Sequence, residues 1–118
     1  MLTFEEAQIV LDEIACELPQ AIFDGLNGGY TLTEQTIIDD DGLYILGQYH
    51  VQPRGLGRYV TIHYGSLLAV YGRVSPRVFR EKLKEVLHHE LVHHLESLAG
   101  DRSLEIKDAL DRARYLRR

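Results

Sequence analysis

SPRVFREKLKEVLHHELVHHLESLAG, residues 75–100, decides how this chain is built. Ser75 stands as an N-cap, Pro76 suits the first helical position and Gly100 suits a stop, so the spacing predicts one long helix. Take His89 as the origin and advance about 100° per residue: Leu83, Leu87, Leu91 and Leu98 fall between about 120° and 200°, with Leu95 near about 240°. His89 and His93 lie on the opposite side, about 40° apart, with Glu90 at the rim near about 100°. One side of the helix is therefore built for a core, and the other presents two imidazoles one turn apart.

Four of the six histidines in the chain fall within residues 88–94, HHELVHH. Histidines at i and i+4 project in parallel, about 6 Å apart along the axis, and can both reach one Zn²⁺ at roughly 2.0–2.1 Å. A carboxylate at Glu90 is placed to take a proton from a water whose pKa the metal has lowered. The segment is H-E-x-x-H on a helix, and the expectation is a metal site with His89 and His93 as ligands. His88 and His94 point away from that pair on either side and read as surface or packing histidines. His50 and His63 fall in predicted strands and read as satisfied sheet histidines. Those two, with Tyr64 and Tyr71, are also candidates to stabilise an oxyanion.

Catalytic zinc usually takes three protein ligands and one water. Glu96 lies near about −20° on the metal face, roughly 10.5 Å along the axis from His89, and could ligate or hydrogen-bond to His93. Asp101, Glu105 and Asp108 follow at the point where Gly100 lets the chain turn back, and all of these remain open on spacing alone.

Outward from this helix the pattern changes character. Phe4 to Pro19 reads as a helix with Thr3 as N-cap and Pro19 as terminator. YTLTEQTII (residues 30–38), LYILGQYHV (43–51) and RYVTIHY (58–64) read as strands, the last two joined as a hairpin. IDDDG, residues 38–42, reads as a solvated turn, because its aspartates lack the ligand spacing of a calcium loop. GSLLAVYG (65–72) is compatible with a short helix or a strand, and residues 103–116 with a closing helix. The order predicts an α+β fold in one domain spanning residues 1–118: a small twisted sheet on the long helix, with a helix at each end.

Composition narrows the partners. The chain is 45% hydrophobic and 26% charged, with Cys16 as its one cysteine. Residues 1–53 carry ten acids and no base, and residues 54–118 carry all 13 bases against eight acids. The halves are expected to face each other or to be solvated, and no nucleic-acid partner is expected despite the basic RARYLRR end. With no signal-like start, no spanning segment and no disulfide framework, a cytoplasmic protein without a membrane partner is expected.

The stretch LHHELVHHL (87–95), the glycine-rich lead into RYVTIHYGS and the late acidic segment resemble the small bacterial zincin-like metallopeptidases, or minimal zincins. The resemblance covers most of the chain. It implies a minimal zincin-like fold, a zinc-dependent peptidase acting on peptide or protein substrates, one Zn²⁺ per chain, and Glu90 as general base. Short members have HExxHxxGxxD, but here Glu96 stands at the glycine and Ala99 at the aspartate, which moves the third ligand downstream. The resemblance points to Asp108, with Glu96, Asp101 and Glu105 as alternatives. A non-catalytic metal- or peptide-binding module of the same shape is the other expectation, and a hydrolase of non-peptide amides a third.

Overall fold

The computed structural model describes residues 2–101, and the closing helix expected over 103–116, with Glu105 and Asp108, lies outside the described residues. The architecture is α+β. Helix α1 (Phe4–Glu17) begins at a reciprocal cap in which Thr3 Oγ1 accepts from the Glu6 amide and Glu6 accepts from the Thr3 amide. Such a box satisfies two orphan donors of the first turn. Leu18 is extended ahead of Pro19, a conformation imposed on residues that precede proline, and a short 3₁₀ turn over Gln20–Phe23 follows.

Strands β1 (Tyr30–Thr33), β4 (Gly47–Gln52) and β5 (Gly57–His63) form a sheet in the order β1-β5-β4, with β1 parallel and β4 antiparallel to β5. The β4–β5 hairpin is the one expected from sequence. A separate two-residue pairing joins β2 (Ile37–Ile38) to β3 (Tyr44–Ile45). Each of two segments read as one strand is therefore divided. YTLTEQTII is split between β1 and β2, and LYILGQYHV between β3 and β4, with the Leu46 carbonyl accepting from the His63 amide at the changeover. Between β2 and β3 the Asp39 carboxylate accepts from the Asp41 and Leu43 amides at 2.9 Å, and Gly42 takes φ +80°. The aspartate run is thus a side-chain-closed turn, as its spacing implied.

GSLLAVYG is helical: α2 (Tyr64–Tyr71) leaves directly from β5. Its start is held by Ser66, whose hydroxyl accepts from the Ile37 amide at 2.9 Å. Helix α3 (Pro76–Asp101) is the long helix, with Ser75 Oγ accepting from the Val78 amide. Its Phe79, Leu83, Leu87 and Leu91 are buried with Leu11 and Ile14 of α1 and Val60 and Ile62 of β5. Each fully buried side chain of this kind contributes about 1.5–3 kcal/mol. Arg80 of α3 meets Glu17 of α1 at 2.8 Å across the surface, one contact between the basic and acidic halves.

β4 approaches α3 most closely at Gly47. A Cβ there would stand 2.7 Å from Val86 Cγ1 and 3.2 Å from Glu90 Cγ, closer than packed carbons allow. The sequence need for glycine is therefore steric. Gly47→Ala is expected to cost about 1–3 kcal/mol in denaturant unfolding through overpacking. Adding Val86→Ala is expected to recover part of that loss, and strictly additive losses would show that the Gly47–Val86 contact is not the constraint.

Candidate functional site

The sequence-predicted pair is brought together. His89 and His93 are exposed on α3, with their Nε2 atoms 3.1 Å apart and rings edge to face at 89°. A tetrahedral metal holding both nitrogens at about 2.0–2.1 Å needs them roughly 3.3 Å apart. The pair fits that requirement within a few tenths of an ångström.

Glu90 sits beside the pair but is buried, at 6% exposure, with its stem running under Gly47 of β4. Burial pushes its carboxyl above the ordinary glutamate range, and His89 and His93 pull partly the other way. Open cavities lie on both sides of it. The larger, about 620 Å³, is lined by β4 residues 48–51 with Glu90, His93, Glu96 and Ser97. The smaller joins Ile45, Leu46 and Gly47 to Glu85, Val86, His89 and Glu90. Together they make a trough between α3 and β4, which among the described residues is an outer strand of its sheet. Glu90 stands at the middle, and one histidine opens into each half.

No group of three or more potential ligands forms among the described residues. Glu96 is exposed beside His93 in the larger cavity, Asp101 is the last described residue and is helical, and Asp108 and Glu105 lie outside the described residues.

The remaining histidines divide sharply. His88 is exposed beside an apolar groove formed by Leu18, Ile22, Leu91 and Leu95. His94 is fully buried, with Nδ1 2.8 Å from the Tyr49 hydroxyl and Nε2 2.8 Å from the Asp24 carbonyl. Both nitrogens are committed to those partners, so His94 does not join the pair. Its helical angle near about 140°, inside the leucine stripe, was the available signal for this burial.

His63 and His50 lie on the far side of the sheet from α3, and both are satisfied as expected. His63 bonds Thr33 Oγ1 at 2.8 Å and Gln48 Oε1 at 2.9 Å, while His50 bonds Thr61 Oγ1 at 2.9 Å and stacks on Tyr59. Of the tyrosine candidates for an oxyanion, Tyr64 donates to the Leu2 carbonyl and Tyr71 receives the Lys82 ammonium over its ring at 5.2 Å. None of these four lines the trough except His50, beside the β4 edge.

The fold and site define an α+β domain in which a two-histidine helix face lies under a sheet edge. A solved structure of a conserved hypothetical protein from Thermo thermophilus superposes with a TM-score of 0.73 at 30% identity, over 85% of this chain and 100% of that one. The chain belongs to the family of that protein. No protein-family model and no curated protein matches it. Among the described residues no helix is long and apolar enough to cross a membrane.

Burial and then His50 hold the His63 imidazole below the ordinary histidine range. The unfolded chain therefore binds a proton that the folded chain refuses, and stability falls as pH drops below the unfolded value of about 6.5. One such proton contributes a slope of at most about 1.4 kcal/mol per pH unit. Glu90, with a raised carboxyl, acts in the opposite sense. Urea unfolding of wild type and His63→Gln between about pH 5 and 7 should therefore show a flatter loss in the variant. Equal slopes would remove His63 as the cause.

Proposed function

We propose that this protein is a zinc-dependent peptidase of the minimal zincin kind, acting in the cytoplasm on peptide or protein substrates. The observation that supports this reading is the 3.1 Å pairing of His89 and His93 Nε2 beside Glu90, beneath the β4 edge. His89 and His93 would hold the metal, with Asp108, outside the described residues, as the proposed third ligand. When bound, zinc would lower the pKa of a water and polarise the scissile carbonyl.

The chain's own residues supply the rest. The outer edge of β4 offers backbone donors and acceptors to an extended peptide, which would be aligned along the trough by strand addition. Glu90 accepts a proton from the attacking water and passes it to the departing amine, so that water is consumed and a carboxylate and an amine leave. Its burial beneath Gly47 keeps the carboxylate fixed while His89 and His93 remain open to solvent.

The test combines metal content with turnover. Wild type purified without chelator or metal-affinity resin should carry about one zinc per chain, and His93→Ala and Asp108→Ala should lose it. Glu90→Gln should retain zinc yet hydrolyse a peptide library about 10²–10⁴-fold more slowly. Loss of zinc in Glu90→Gln overturns the assigned base. Zinc in the wild type with peptide binding but no turnover gives instead a binding module, and turnover confined to non-peptide amides gives a different hydrolase.

A further inference from the structure

We infer that His94 is a positioning residue which, through Tyr49, fixes the spacing between the β4 edge and the Glu90–His93 face of α3. His94 has no exposed surface, yet it occupies the stripe of α3 that otherwise carries leucines. Burying an imidazole is costly unless both nitrogens are satisfied. Here both have partners at 2.8 Å. The partner of Nε2 is the Asp24 carbonyl oxygen, which can only accept, so Nε2 carries the hydrogen. In the neutral ring Nδ1 is then an acceptor, and the Tyr49 hydroxyl donates to it. The rings also lie against each other, with centroids 5.5 Å apart.

One buried side chain thus ties α3 to two other elements: the loop after the 3₁₀ turn, through Asp24, and β4, through Tyr49. β4 is bonded to β5 along one edge, and its contacts with α3 include those at Gly47 and at Tyr49. At Gly47 the strand is in hard contact with Val86 and the Glu90 stem. Two residues further on, Tyr49 spans to His94 by a bond of defined length. A single contact would set the closest approach and leave the strand free to tilt. Two contacts of different length fix its angle over the helix. Tyr49 also stands in the wall of the larger cavity with His93 and Glu90, so that angle sets the width of the trough on the His93 side. An apolar pair at positions 49 and 94 would fill the same space without fixing a length, which is the physical reason for polar groups here.

Tyr49→Phe in the full chain tests this, because it keeps the ring and removes the donor. Hydrogen exchange of the metal-free protein should accelerate in β4, residues 47–52, on the order of tenfold, while α1 and β1 keep wild-type rates. Zinc uptake should be unchanged, because Tyr49 is not among the proposed ligands and the substitution leaves His89, His93 and Asp108 in place. The consequence for substrate rests on the peptidase reading: KM for a peptide should rise on the order of tenfold with kcat nearly unchanged. Unaltered exchange in β4 overturns the inference, as does acceleration spread equally over α1 and β1, which would mark a general loss of stability. A wild-type chain that takes up zinc and cleaves nothing removes the peptidase reading, and the exchange pattern still decides the role of His94.

Discussion

The close approach of β4 to α3 at Gly47 is the constraint on which the site depends. With no side chain at that position, the strand lies directly on Val86 and on the stem of Glu90. That contact buries the one carboxylate of the HExxH segment and leaves the two histidines on either side of it open. A larger residue at 47 would lift the strand, return Glu90 to water and widen the trough on both sides. The same place divides one predicted strand into two: β3 pairs with β2 up to Ile45, and from Gly47 onward the chain pairs with β5 over the helix.

The four histidines of residues 88–94 show how a helix converts sequence proximity into separate surroundings. At about 100° per residue, neighbours in sequence diverge and residues four apart converge. His89 and His93 meet in the trough, His88 borders an apolar groove, and His94 turns into the core to hold Tyr49 and the Asp24 carbonyl. Identical side chains thus end up exposed and paired or fully desolvated, according to the face each occupies and what that face meets. Membership in the family of the Thermo thermophilus protein shows that this scaffold recurs in a second protein, and the shared fold leaves the chemistry to be argued from the site.

Much of this was legible in the chain. The start of α3, its apolar stripe and the pairing of His89 with His93 follow from capping chemistry and helical periodicity, which are local physics. The cap at Thr3, the Asp39 turn and the β4–β5 hairpin follow from residue chemistry within a few positions. GSLLAVYG could not be assigned locally, because a short apolar run suits a helix or a strand equally well. Its helical state is settled by Gly65 and Ser66 lying against residues 34–37, about thirty positions away. The break in LYILGQYHV was equally hidden, since it lies where the chain exchanges one partner strand for another.

The sequence by itself determined which residues share a face of α3, because that depends only on backbone geometry. Tertiary structure alone decided what each face meets: that Glu90 is covered by a glycine of β4, that His94 is tied to Tyr49, and that His63 lies with His50 on the side of the sheet away from α3. Those outcomes depend on contacts between residues far apart in the chain, and no periodicity in one segment encodes which distant backbone will come to rest against it.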